Sequence, residues 1–290
     1  MKHRIVYQGI PGAFSHIAAL GHFGADNTFS GLPTFHEIFA RIENRQADYG
    51  VIPLENSLAG SIGENYDLLY KNDVSVIDEY YQPIRHHVLI SKSPHSDKTI
   101  GIQNIQRIYS HPKALEQCIK FFKNHDYIAP QAYNDTAEAA EYVASEQRTD
   151  IAAIASKEAA ELYGLDILVR DVQDNINNWT RFFIITSVHP EPDILVHDTV
   201  YKCSIIFTLP HIPGSLYDII GIFANAHLNL SKIESRPIHG KAFEYVFYID
   251  VEFHSHDYAL IHKLIRLCSE MTNEIKVLGY YPKAHIKNNF

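Results

Sequence analysis

The sequence predicts an α/β protein in two parts: an N-terminal region of alternating strands and helices, and a C-terminal ferredoxin-like βαββαβ module. Three observations carry this. Residues 4–188 switch repeatedly between short apolar runs and stretches of helical period. A break with two prolines follows, His189-Pro190-Glu191-Pro192-Asp193, with little that can pack. Beyond it the pattern becomes strand-helix-strand-strand-helix-strand.

In the first region, Arg4 to Gln8 reads as a strand and Ala13 to Phe23 as a helix. Asn27 to Ser30 is a brief strand. Phe35, Ile38, Phe39 and Ile42 recur at i, i+3, i+4 and i+7, predicting a helix over Thr34 to Gln46. A buried strand, Tyr49 to Leu54, precedes a helix over Gly63 to Tyr70, and Val74 to Ser91 is β-rich. The alternation resumes with a strand at Arg107 to Tyr109 and one helix over Pro112 to Asn124, with proline in its first turn. After an extended Ile128 to Tyr133, Asp135 is placed to cap a helix over Thr136 to Gln147, with Glu138 completing a capping box. Asp150 to Ala155 is a strand, and Ser156 caps the next helix. Leu165 to Asp171 and Phe182 to Thr186 close the set as strands. Such alternation implies a largely parallel sheet, or two lobes of that kind.

In the second region, Cys203, Ile205, Phe207 and Leu209 share one face of a strand. Pro213-Gly214 opens a helix striped by Leu216, Ile219, Ile220, Phe223 and Ala224. Leu228 to Glu234 is a strand. From Phe243 to Phe253 apolar residues alternate with Glu244, Val246, Tyr248, Asp250 and Glu252; one face is expected on helices and the other against water or a partner. Asp257 to Met271 is a helix and Glu274 to Tyr280 the last strand.

Bulk properties narrow the function. An apolar share of 46% and a charged share of 20% are those of a soluble globular protein. The net charge of −9 argues against general nucleic-acid binding. The apolar runs are too short to span a membrane. Lys2, His3 and Arg4 lead straight into a strand rather than an apolar signal core, so a cytoplasmic protein is expected. Cys118, Cys203 and Cys268 are odd in number and far apart, which disfavours disulfides and a thiolate zinc site. Of the eighteen histidines, the pairs His86-His87 and His254-x-His256 lack helical ligand spacing and read as surface or structural.

Candidate chemistry lies where strands meet helices, because free N–H groups at helix starts cradle anions. The junctions are Gly9-x-x-Gly12-x-x-Ser15, Glu55-Asn56-Ser57 with Ser61, Ser110-His111-Pro112, and Asn134-Asp135-Thr136. Each alone is more often only a cap. Asn178-Trp179-Thr180-Arg181-Phe182 says more, pairing a hydroxyl donor with a permanent cation at a strand entry. On a regular strand Thr180 and Arg181 point to opposite faces, so both reach one ligand only from an irregular turn.

Taken together these residues resemble the prephenate dehydratase family over essentially the whole chain. The resemblance rests on the Ser15 loop, Val51-Ile52-Pro53-Leu54-Glu55-Asn56-Ser57, Ser110-His111-Pro112 with Gln117-Cys118, and Thr180-Arg181-Phe182. In the second region Glu234-Ser235-Arg236-Pro237 stands as the family's ESRP signature, and Gly214-Ser215-Leu216-Tyr217 in place of its GALV signature. Departures are Lys113, where the family often has Gln, Asn134-Asp135-Thr136 for a Ser-Thr stretch, and Tyr217 for a small aliphatic residue.

The resemblance implies a catalytic domain over 1–190 with two lobes of the type II periplasmic-binding-protein kind. Lobe one would be 1–80 and 165–188, lobe two 85–160, and an ACT regulatory domain would span 200–281. It implies decarboxylating dehydration of prephenate to phenylpyruvate on the route to phenylalanine, with no cofactor and no metal, in a homodimer or homotetramer. Thr180, Arg181 and Glu55 are then the catalytic candidates. Arg181 would pair with a substrate carboxylate, and Glu55 would bond Thr180, hold a water, or anchor its loop. Ser15, Asn56, Ser57, Ser110, Gln117, Thr136 and Phe182 are candidates for binding substrate. Gly214, Ser215, Leu216, Tyr217, Glu234, Ser235, Arg236 and Pro237 would bind the effector, L-phenylalanine. Two rival readings stand: an arogenate dehydratase, and a two-lobed small-molecule-binding protein without catalysis.

Overall fold

The computed structural model describes residues 2–92, 100–189, 199–238, 240–241 and 243–286. In chain order the elements are β1 (Arg4–Gln8), α1 (Phe14–Phe23), β2 (Thr28–Leu32), α2 (Phe35–Glu43), β3 (Tyr49–Asn56), β4 (Gly60–Ser61), α3 (Gly63–Lys71), β5 (Ser75–Pro83) and β6 (His87–Ile90). There follow β7 (Arg107–Ser110), α4 (Pro112–Glu116), α5 (Ile119–Asn124), β8 (Ala129–Ala132), α6 (Thr136–Glu146), β9 (Ile151–Ala155), α7 (Lys157–Tyr163), β10 (Asp166–Val169) and β11 (Trp179–Thr186). The C-terminal set is β12 (Val200–Thr208), α8 (Ser215–Asn225), β13 (Asn229–Pro237), β14 (Tyr245–His254), α9 (Tyr258–Met271) and β15 (Glu274–Pro282). Of the expected linker, all but His189 lies outside the described residues.

The strands form three sheets, ordered β2-β1-β3-β11-β5 with β4 on β3, β10-β6-β9-β7-β8, and β13-β14-β12-β15. The chain divides into two compact units. The first holds residues 1–38, 51–62 and 81–182; the second holds 39–50, 63–80 and 183–290. Strands β3, β5 and β11 run from one unit into the other, so the division does not follow the sheets.

Within the first unit, the β10-β6-β9-β7-β8 sheet carries helices on both faces, because its strands are apolar at successive positions. Val88, Ile108, Ala152 and Ile154 pack with Ala114, Cys118 and Phe121 of the α4–α5 stretch. Leu89, Ile151, Ala153 and Ala155 pack with Ala139, Ala140 and Val143 of α6 and Ala159 and Ala160 of α7. The expected caps form: Asp135 accepts from the Ala137 N–H at 2.7 Å, and Ser156 from the Ala159 N–H at 3.0 Å.

Two expectations in this unit are corrected. The helix predicted from Pro112 to Asn124 is broken at Gln117-Cys118. Asp174 caps a fresh helix start there, its carboxylate accepting from the Ile119 and Lys120 N–H groups at 3.1 and 2.9 Å. The closing strand begins at Trp179 rather than Phe182, which puts Thr180 and Arg181 on regular strand.

In the second unit, the four-stranded sheet and two helices form the expected βαββαβ module. Cys203, Ile205, Phe207, Ile249, Val251 and Phe253 bury against Ile219 and Phe223 of α8 and Ile261 and Leu264 of α9. Most of the other face of β14 does not meet water. Val246, Tyr248 and Asp250 are buried, and that face packs on α3. The Tyr248 hydroxyl donates to the Tyr66 carbonyl at 2.9 Å. Lys276 Nζ donates to the Leu69 and Asn72 carbonyls at 3.0 and 2.5 Å, serving the C-terminal end of α3. Gly279 passes so close to the Val76 carbonyl that a Cβ would collide with it. Phe243, expected to start β14, lies before it with positive φ and is exposed.

The same face holds a buried ion pair. Lys202 Nζ and Glu79 Oε1 lie 2.8 Å apart, with both side chains almost wholly buried. Glu79 Oε1 also accepts from the Ala284 N–H at 3.0 Å. Removing one partner strands a charge in the interior. Lys202→Met should therefore lower stability by roughly 3–5 kcal/mol, and adding Glu79→Gln, which is uncharged and keeps an acceptor for the Ala284 N–H, should recover part of the loss. Urea unfolding of both variants checks this; a single variant within about 1 kcal/mol of wild type would contradict it.

Candidate functional site

The site in the first unit starts from one side chain. Asn56, last on β3, accepts at Oδ1 from the Leu58 and Ala59 N–H groups at 3.0 and 2.9 Å. Two backbone donors on one oxygen fix which end of the amide is which. Nδ2 must therefore face the other way, where it donates to Asn178 Oδ1 at 2.7 Å, the Trp179 carbonyl at 3.1 Å and Thr180 Oγ1 at 3.0 Å. Thr180, 8% exposed, is an acceptor in this contact and keeps its proton for another partner. Ser57 closes the turn: its Oγ donates to the Asn177 carbonyl at 3.1 Å and accepts from the Trp179 N–H at 3.0 Å.

Asn178 carries the network onward. Its Nδ2 donates to Gln117 Oε1 at 2.8 Å. His86 Nε2 lies 3.1 Å from the same oxygen. Gln117 reaches this position because the chain breaks there between α4 and α5. His86 is buried at 2% exposure, and burial pushes its pKa down to about 4, so it is neutral near pH 7. The Phe14 ring packs edge-on to it at 5.6 Å.

Arg181 occupies the opposite face of β11. It is 3% exposed, and its Nη1 lies 3.2 Å from Glu55 Oε1. Glu55 and Asn56 alternate on β3 as Arg181 and Thr180 alternate on β11, giving one ionic face and one amide–hydroxyl face. Arg181 thus does not share a face with Thr180, the arrangement that both reaching one ligand required. Of the three readings for Glu55, anchoring is the one this contact fits.

Among the described residues none of the remaining substrate candidates hydrogen-bonds Thr180. Ser110 is fully buried and its hydroxyl donates to the Ile154 carbonyl at 2.6 Å, so its proton is committed. Phe182 is a core side chain at 1% exposure. Ser15 is buried in α1, and Thr136 is buried at the first position of α6. Beside Thr136, burial raises the Asp135 pKa, while the Ala137 and Glu138 N–H groups oppose the rise. Reasoning from sequence missed Asn178 and His86. Asn178 sits two residues before Thr180, which on a strand means the same face; His86 hid within a histidine pair. Among the described residues no cluster of three or more His, Cys, Asp or Glu is placed to hold a metal ion.

The effector candidates lie in the second unit. Gly214 takes positive φ at the start of α8, and Ser215 Oγ donates to the Pro210 and Ile212 carbonyls at 2.9 and 3.0 Å. Leu216 packs on the module's core, while Tyr217 is 78% exposed and fills no cavity of its own chain. On β13, Glu234 pairs with Lys232 at 3.3 Å, Ser235 stands opposite Phe247, and Pro237 opposite Tyr245. Arg236 has a partner within the chain. Its Nε and Nη2 fork onto the Asp67 carboxylate of α3 at 2.8 and 3.1 Å, and its guanidinium lies where a Cβ on Gly63 would be. That guanidinium is engaged within the chain.

An amide–hydroxyl site on an α/β framework, joined in one chain to a βαββαβ module, marks an enzyme with a small-molecule-sensing attachment. The family models agree with that class: prephenate dehydratase matches residues 5–190 and the ACT domain matches 204–269. Arogenate dehydratase/prephenate dehydratase 1, chloroplastic, of Arabidopsis thaliana is 40% identical over 295 residues, covering 97% of this chain and 72% of the relative. The crystal structure of prephenate dehydratase in complex with L-Phe from Arthrobacter aurescens superposes with a TM-score of 0.84 at 25% identity, covering 97% of this chain and 90% of that one. A structure described as a novel type of quorum quenching acylase gives 0.83 at 30% identity, covering 97% and 98%. The chain belongs to the prephenate dehydratase family and carries an ACT domain. No helix among the described residues is long and apolar enough to cross a membrane.

The low pKa of His86 has a consequence for acid stability. The unfolded chain takes up this proton near pH 6.5 and the folded chain only near pH 4. Between those values the unfolded state holds more protons, so stability falls as pH drops from about 6.5 toward 4. His86→Gln, which cannot titrate, should flatten this part of the profile. Melting temperatures at half-unit pH steps test it; parallel profiles for wild type and variant would assign the acid sensitivity to other groups.

Proposed function

We propose that the chain catalyses the decarboxylating dehydration of prephenate to phenylpyruvate, CO2 and water, with feedback control by L-phenylalanine through the ACT domain. The observation that carries the reading is the locked polarity of Asn56, which makes Thr180 an acceptor on its inner side and a donor on its open side. Prephenate is a dianion with a ring hydroxyl. The bond to the ring carboxylate breaks and its electron pair enters the ring. The carbon–oxygen bond to the hydroxyl breaks, and the departing hydroxide takes one proton, drawn ultimately from solvent, to leave as water. Aromatisation drives the step. A threonine hydroxyl is too weak an acid to supply that proton unaided. Its contribution is a hydrogen bond that strengthens as charge builds on the leaving oxygen, of order 3–4 kcal/mol for one well-placed donor. Gln117 Nε2 supplies a second donor for a substrate carboxylate, since Gln117 Oε1 is taken by Asn178.

The double name of the Arabidopsis relative supports keeping arogenate as the second substrate to be tried. The likeness to a quorum quenching acylase shares a fold, and activity does not follow from fold. Three free, buried cysteines suit the cytoplasm. Among the described residues strand β13 stands at the end of its sheet, a feature that suits a homo-oligomer built through the ACT domain.

Thr180→Ala should cut turnover of prephenate by about 10²–10³-fold with little change in substrate affinity. Phenylpyruvate formation followed by absorbance reads this directly, and near-wild-type turnover would remove Thr180 from the mechanism. Saturating L-phenylalanine should raise the melting temperature and lower the activity of the wild type; a ligand that shifts neither is not the effector.

A further inference from the structure

The hydrogen bonds beyond Thr180 form one directed chain rooted in the backbone. Asn56 cannot reverse without setting its Nδ2 against the Leu58 and Ala59 N–H groups. Asn178 cannot reverse without setting its Nδ2 against that of Asn56. Gln117 therefore faces Asn178 with its oxygen. The same oxygen faces His86 Nε2, so Nε2 carries the imidazole proton. His86 Nδ1 is then a bare acceptor, buried and without a partner among the described residues. The burial that keeps His86 neutral leaves it only this one N–H.

We propose that Asn178 and His86 are positioning residues that hold Gln117 and Thr180 with their donors facing the substrate. Resting on the reading above, this deepens it: the Gln117 N–H and the Thr180 O–H are neutral donors offered to a dianion and a departing hydroxide. Asn178 and His86 share the Gln117 oxygen, so the Gln117 NH2 group turns outward. A flipped Gln117 would present its oxygen to a carboxylate and repel it.

Asn178→Asp separates this role from a merely structural one. The introduced carboxyl, when protonated, still accepts from Asn56 and donates to Gln117; once ionised it can only accept, and Gln117 must flip. The kcat/KM of the variant relative to wild type should therefore fall at least tenfold from pH 5 to pH 8, chiefly through KM. The charged and titratable groups nearby are His86 and His87 before and within β6, Asp174 before β11, and Glu55 with Arg181 on β3 and β11; repeating the comparison in a His86→Gln background removes the His86 titration from it. A ratio near one at every pH in that range would overturn the proposal. A second pair of variants covers the case in which Asn178→Asp does not fold. His86→Gln keeps a donor at the Nε2 position and should retain most of the activity that His86→Leu loses; equal activities would equally overturn it. Thr180→Ala run alongside keeps the two readings apart. If it retains full turnover, the catalytic reading fails whatever the Asn178 ratio does.

Discussion

Two backbone N–H groups on one amide oxygen set the polarity of the whole candidate site. The Leu58 and Ala59 N–H groups hold Asn56 Oδ1, and every later orientation follows from that. The arrangement costs little, because the turn after β3 must satisfy these N–H groups somehow. What it yields is direction. A serine or threonine in place of Asn56 could rotate its proton to suit any neighbour. An amide anchored at one end cannot, so Thr180 is left with one role.

Segregation of charge reinforces this. Glu55 and Arg181 take the ionic face of β3 and β11, and Asn56 and Thr180 the neutral one. An arginine next in sequence to the Thr180 hydroxyl is thereby turned away from it by strand geometry. A neutral donor set suits a substrate that must expel both CO2 and hydroxide, because a cation held tightly on the carboxylate would stabilise the charge that has to leave.

Much of this architecture is legible in the sequence where the information is local. The alternation through β14, the caps at Asp135 and Ser156 and the stripe on α8 all announce themselves within a few residues. What escapes depends on distant partners. The helix from Pro112 looks continuous until Asp174, far along the chain, caps its second half. The polar-looking face of β14 suggests water until α3 is found against it. Thr180 and Asn56 were visible as motif residues, yet their pairing was not, and Asn178 gained its meaning only from Gln117. Arg236 was legible as part of a signature, but its partner Asp67 lies in a helix of the other family domain.

That last contact bears on how such a chain can be divided. Helix α3 belongs by sequence to the catalytic family region, yet its first turn is gripped by Arg236 and its final carbonyls by Lys276. Pruning the chain at the seam between the two family matches would leave α3 with bare carbonyls, a stranded aspartate and an undressed flank. The C-terminal module therefore cannot be removed without uncovering a helix of the catalytic family region.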